Sequence, residues 1–228
     1  MNRFDYLAKK ISDASFETVP FRHVYLEDFF SAEDFAEIVA AQEIDLPPSD
    51  DDHALFDLLY DRGYKMVEFP GCITNRDDYI AWHGGKKTGQ HVHTACEGFG
   101  VTLRLQSART PILQELMTFL SSDLFNRTIA EKFSLDLGEC NIDNGIQKYL
   151  DGYEISPHPD IRRKAATFMV NINPHDDAES LDHHTHYLRF KERYTQIEDY
   201  WEKHPEVDRC WVPWDWCEDV KTQPKNNS

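Results

Sequence analysis

The sequence predicts an α+β fold, with a double-stranded β-helix core of the jelly-roll or cupin-like kind flanked by N-terminal helices. Three observations predict it. Helical apolar stripes and short strand patterns share the first 135 residues. Strand patterns concentrate over 139–173. Within that block the order is strand, turn, His-X-Asp, strand, which is how a jelly-roll carries ligands at its mouth. At 228 residues the chain is most simply one domain, with 1–135 as a strand and helix support and 136–228 as the core.

Residues 4–12 fit a short amphipathic helix with Phe4, Leu7 and Ile11 on one face. A strand-like stretch over 21–30 ends at Ser31, an N-cap followed by Glu33 and Asp34 that opens a helix through Phe35, Ile38 and Val39. Residues 46–52 read as a turn and a solvated acidic loop. They lack the alternating oxygen ligands and the glycine of a calcium loop. A helix is expected over 54–60 and a strand over 65–69.

Gly84 to Gly89 lacks the spacing of a phosphate loop and reads as surface. His91 and His93 form a further His-X-His pair with no carboxylate nearby. Residues 99–105 alternate as a strand. Helices are expected over 111–120, with an Ile, Leu and Phe stripe for the core, and over 124–133.

Strands are expected over 146–150 and, buried, over 166–172. Residues 175–186 form a polar loop rich in histidine and carboxylate. A helix is expected over 187–204. Residues 210–217 are aromatic and too irregular for a strand, suited to packing on the core. The polar, hairpin-like tail over 221–228 invites a further strand, so the chain is expected to be C-terminally incomplete.

The chemistry concentrates in Gln147-Lys-Tyr-Leu-Asp-Gly-Tyr-Glu-Ile-Ser-Pro-His-Pro-Asp160. Residues two apart in extended chain face one side, so His158 and Asp160 can converge on one ion. They supply two thirds of a 2-His-1-carboxylate face, which leaves open positions on Fe(II).

With Tyr149, Gly152, Tyr153, His158, Asp160, then Arg163 or Lys164 leading into Thr167 to Asn173, this stretch resembles the prolyl-hydroxylase-like branch of the Fe(II)/2-oxoglutarate-dependent dioxygenases. The resemblance spans roughly 140–174 and, more loosely, 20–30. It implies that His158 and Asp160 bind Fe(II) and that 2-oxoglutarate chelates the same ion. It also implies that a substrate is hydroxylated with release of succinate and CO2, with ascorbate as a possible accessory.

Tyr149 stands where the family places a phenol near the co-substrate carboxylate; it fits an ordinary strand tyrosine equally. Gln147 and Tyr153 are further pocket candidates. One of Arg162, Arg163 and Lys164 could steer the acid.

The family also places a second histidine on a late strand, with a cation about ten residues further on. After Asp160 the chain offers His175, His183, His184, His186 and His204, in polar loop or at a helix end, with no final strand pair behind them. His184 and His186 are the stand-ins. Two other readings stay open: a cupin-like enzyme of zinc or another metal, using His158 and Asp160 with histidines from 83–93 or 183–186, and a non-catalytic binding module.

The formal charge of −17 argues against nucleic acid or an anionic membrane as partner. It leaves a small-molecule or peptide substrate. The odd set of cysteines at 72, 96, 140, 210 and 217 reads as reduced thiols, and with neither leader nor span in sight the expected location is cytoplasmic.

Overall fold

The computed structural model describes residues 2–68, 72–85, 98–162, 164–175, 177–181 and 184–228. They form a mixed α/β structure of seven α-helices and small antiparallel sheets. The His91 and His93 pair, Arg163, His183 and most of the expected loop over 84–89 lie outside the described residues.

The helices begin where capping chemistry starts them. Helix α1 (Tyr6–Asp13) buries Leu7 and Ile11, with Phe4 fully enclosed beside them. Helix α2 (Ala32–Val39) starts at Ser31, whose hydroxyl accepts from Asp34 N at 3.1 Å. Buried Asp34 receives Arg3 Nε at 2.5 Å and Tyr6 Oη at 2.7 Å, which ties α1 to α2. Helix α3 (Asp52–Asp61) is capped by Asp51.

Helix α4 (Arg76–Gly84) falls in a stretch for which no element was expected. Its start signal was present: Asn75 caps Asp78 N at 2.8 Å, and Asp77 and Asp78 sit in the first turn. Helices α5 (Pro111–Leu120) and α6 (Asp123–Phe133) match expectation to within a residue. Ser122 caps α6, and the left-handed Ser134 ends it.

Strand β1 (Tyr64–Met66) covers only the start of the strand expected over 65–69; Val67 and Glu68 follow outside it. Strands β2 (Gly98–Phe99) and β3 (Thr102–Leu105) divide the pattern expected over 99–105, with Gly100 between them. Strand β4 (Gln147–Tyr149) completes a three-stranded antiparallel sheet in the order β1-β3-β4. Its register places Lys65 opposite Arg104, Gln147 opposite Arg104 on the other side, and Tyr149 opposite Thr102.

Side chains alternate across the sheet. Tyr64, Leu103 and Leu105 face the core with Phe56, Leu59, Leu113 and Phe119. Lys65, Thr102, Arg104, Gln147 and Tyr149 share the other face. Strand β5 (Glu154–Ile155) pairs with β2.

Gly100 sits where these two sheets meet, at φ +73°. A Cβ there would lie 2.7 Å from the backbone N and Cα of Tyr153, so only glycine allows this approach.

Three expectations are corrected. Residues 187–204 are not one helix: strand β6 (Thr185–Phe190) comes first, then a 3₁₀ turn and α7 (Thr195–Lys203). Pairing with strand β7 (Cys217–Gln223) sets this, through Arg189 Nε to Glu218 Oε1 at 2.5 Å and His186 to Asp219 at 2.8 Å. Long-range pairing overrides local propensity here.

The irregular stretch over 210–217 and the tail over 221–228 therefore flank and include a strand, and His186 sits in a strand rather than a loop. Val212 and Cys217 of that stretch are buried.

The run over 166–172 is extended but not a buried strand. Phe168 and Met169 are 42% and 44% exposed, although Phe168 still meets Phe29 and Phe125 edge-on. Among the described residues its backbone pairs only near its end, where Asn171 N donates to Ser228 O at 3.0 Å and Asn227 N donates to Asn171 O at 2.9 Å. Asn227 also clasps Phe30, its Oδ1 accepting from Phe30 N at 2.7 Å and its Nδ2 donating to Phe30 O at 3.0 Å.

Candidate active site

The chain enters the site along β4. Tyr149 Oη donates to Gln147 Oε1 at 2.8 Å, as two residues on one face of a strand allow. Tyr153 returns beyond the Asp151–Gly152 turn and stacks on Tyr149, ring centroids 4.3 Å apart. Burial pushes both phenols up, and Arg104 partly offsets this at Tyr149. Burial also lifts the neighbouring Cys72 thiol to about 11. The structure thus gathers Gln147, Tyr149 and Tyr153 into one patch.

The turn is held from outside. His83 lies between two carboxylates, Nδ1 at 2.7 Å from Asp52 and Nε2 at 2.9 Å from Asp151. Its ring stacks on Tyr79, whose hydroxyl donates to Asp151 O at 3.0 Å. Burial alone would lower the His83 pKa, but the two ion pairs raise it.

After β5 the backbone is pinned by Val212 N, which donates to Pro157 O at 3.0 Å, and by Trp214 Nε1, which donates to Glu154. His158 Nδ1 lies 2.7 Å from the Ser156 carbonyl oxygen. A carbonyl only accepts, so a proton sits on Nδ1, and in the neutral ring Nε2 carries the lone pair. That is the tautomer a metal-ligating histidine uses.

Nε2 is 4.0 Å from Asp160 Oδ1. Two ligands about 2.1 Å from one ion at right angles lie about 3 Å apart, so the pair would close by about 1 Å to share an ion. Asp160 is not idle in this structure: Oδ1 accepts from Lys164 Nζ at 2.8 Å and Oδ2 from Thr167 Oγ1 at 2.5 Å. Burial tends to raise the Asp160 pKa, but these two bonds outweigh it and hold the carboxyl below the usual range. It is ionised at neutral pH, as a ligand must be.

The donor types and the histidine tautomer therefore fit two ligands of a divalent iron. Among the described residues no group of three His, Cys, Asp or Glu is placed to hold a metal. His186 is taken by Asp219 and packs edge-on against Trp214, and His184 lies 6.4 Å from the His186 ring. His204 pairs with Glu206 at 2.7 Å, and His175 is exposed.

Of the basic run, Arg162 donates to the carbonyls of Val207, Trp201 and His204 and lies over the Trp201 ring, so it is committed to packing. Lys164 is committed to Asp160.

Three functional placements were not read from the sequence. Thr167 holds Asp160, Ser156 orients His158, and His83 with Asp151 pins the turn. Thr167 lay in the quoted motif, but only folding brings it back onto Asp160.

A shallow groove lined by Arg127, Glu131 and residues 134–137 contains none of these side chains. Among the described residues no helix is long and apolar enough to cross a membrane. Compared with protein families, curated proteins and solved structures, the chain has no match in any of the three.

Proposed function

We propose that this chain is an Fe(II)- and 2-oxoglutarate-dependent oxygenase, built on a jelly-roll core, that hydroxylates a small-molecule or peptide substrate with release of succinate and CO2. The observation that carries this reading is the His158 and Asp160 pair. Its imidazole proton is fixed on the Ser156 carbonyl, and Nε2 faces a carboxylate that stays ionised.

When bound, the iron and 2-oxoglutarate supply the oxidising power that hydroxylates an unactivated C–H bond. The chain's residues hold and orient. His158 Nε2 and Asp160 Oδ1 are the two ligands, Thr167 fixes the second carboxylate oxygen, and the stacked Tyr149 and Tyr153 with Gln147 form the wall for the co-substrate. No third ligand is assigned.

One observation favours a second reading. Both oxygens of Asp160 already have protein partners, as in a non-catalytic binding module whose His-X-Asp pair is structural. An anaerobic Fe(II) titration in the presence of 2-oxoglutarate separates the two, run on the parent and on His158→Ala. A weak visible charge-transfer band in the parent, lost in the variant, is the expected result. Absence of the band in both leaves the binding module.

A further inference from the structure

The run that follows the metal pair lies on the core as a strand does, yet it lacks a neighbouring strand among the described residues. Phe168 meets Phe29 and Phe125, and Val170 and Ile172 also pack on the core, so alternate residues turn inward. Residues 165–169 are nevertheless exposed. The backbone groups of 165–170 make no hydrogen bond among the described residues. An edge of this kind is a template for a further strand.

The pairing of Asn171 fixes which way that edge faces. Its N–H and C=O point to Ser228 and Asn227. Successive residues of a strand point these groups to opposite edges, so those of 166, 168 and 170 point away from the tail. Natural edges are blunted by charge or by proline. From Ala165 to Asn173 the sequence has neither, although 29% of the chain is charged.

That neutrality bears on what covers the run. A second copy carries the same net charge of −17, and over these residues it meets no like charge. The flanks are of opposite sign, with Arg162 and Lys164 before the run and Asp177 and Glu179 after it. Antiparallel pairing of two copies sets the basic flank of each toward the acidic flank of the other. Parallel pairing would set like against like.

We propose that residues 165–171 are a self-association edge, where a second copy of this chain pairs antiparallel about a two-fold axis at Phe168. Ala166 then faces the partner's Val170, and Phe168 faces the partner's Phe168. Each such pair exchanges two hydrogen bonds, about six in all. The same patch serves both copies, so the assembly closes as a dimer. The contact is small and the association correspondingly weak.

The pairing does not depend on a bound metal, so the test uses the metal-free chain. Sedimentation velocity is run from about 5 to 500 μM, with amide hydrogen exchange read by residue at both ends of the range. The parent passes from monomer to dimer. Ala166→Pro, which removes an edge N–H, and Met169→Lys, which sets like charges beside the axis, each raise the dissociation constant at least about tenfold. Exchange slows with concentration at 166, 168 and 170, and not at 165, 167 and 169.

Both substituted side chains are exposed, and far-UV circular dichroism checks that each variant keeps the fold. Met169→Lys retains every backbone donor and carries the test if Ala166→Pro does not fold. A parent that stays monomeric throughout overturns the proposal, as does a dimer that either folded variant leaves intact. Slowed exchange at the odd-numbered residues instead also overturns it. So does growth beyond the dimer, because pairing about a two-fold axis closes.

Discussion

Thr167 Oγ1 donates to Asp160 Oδ2 at 2.5 Å across seven residues of chain, and so turns Oδ1 toward the His158 imidazole. Hydroxyl removal frees the carboxylate to rotate. Thr167→Val is expected to weaken binding of Fe(II), or of Mn(II) as a redox-stable substitute, about tenfold, while Thr167→Ser stays near the parent. Calorimetric titration reads this directly; equal affinity in the parent and Thr167→Val would show that the hydroxyl does not orient the ligand.

The His83 clasp carries a pH signature. Its pKa is raised in the folded state, so its stabilisation is full below the unfolded value of about 6.5 and is lost as pH rises through the folded value. Asp151 is largely exposed, and screening keeps the contribution to about 1 kcal/mol. In urea melts, parent and His83→Gln should differ by that amount at about pH 6 and converge at about pH 9. A gap that widens with pH would contradict the assignment.

Glu43 behaves in the opposite sense. Its side chain is buried and holds the turn that leads into α5: Oε1 accepts from Arg109 N at 2.7 Å and Thr110 N at 2.9 Å, and Oε2 accepts from the Thr110 hydroxyl. Burial opposes ionisation, but these donors hold its pKa below the usual value. The stabilisation is present above the unfolded pKa of about 4.3 and is lost as pH falls through the folded value. Glu43→Ala is expected to cost about 3 kcal/mol at neutral pH, and Glu43→Gln about 1 kcal/mol with a flatter acid limb. Chemical denaturation at neutral and acid pH checks both figures.

Gly100→Ala tests the junction between sheet and site. Its Cβ would sit 2.7 Å from Tyr153 backbone atoms at a positive φ, so the turn must move. The expected loss is about 3 kcal/mol, with Tyr153 displaced from Tyr149. A thermal melt and the tyrosine ring resonances report the two effects; a variant as stable as the parent would mean that the junction yields freely.

The helices were legible because their signals are local. Ser31, Ser122 and Pro111 mark starts, and the apolar stripe of Ile112, Leu113, Leu116 and Phe119 repeats at the helical period. Helix α4 carries a local start signal too, in Asn75 followed by Asp77 and Asp78. Strand β6 was not legible: Thr185 to Phe190 carries no signal strong enough to outrank a helix until β7, nearly thirty residues on, supplies its hydrogen bonds. The exposure of 166–172 was equally hidden, because a run of Ala, Phe, Met and Val reads as core whether or not anything covers it.

For the site, the sequence by itself determined the residue types and their short-range spacing: His158 and Asp160 two apart, Tyr149 and Gln147 two apart on a strand. These follow from backbone periodicity. Only the tertiary structure decided what those side chains meet: Lys164 and Thr167 on Asp160, Asp52 and Asp151 around His83, and Lys65 beside Arg104. Such pairings depend on the register between distant strands and on backbone approaches such as Gly100 to Tyr153, where one residue of slip would turn each side chain to the opposite face.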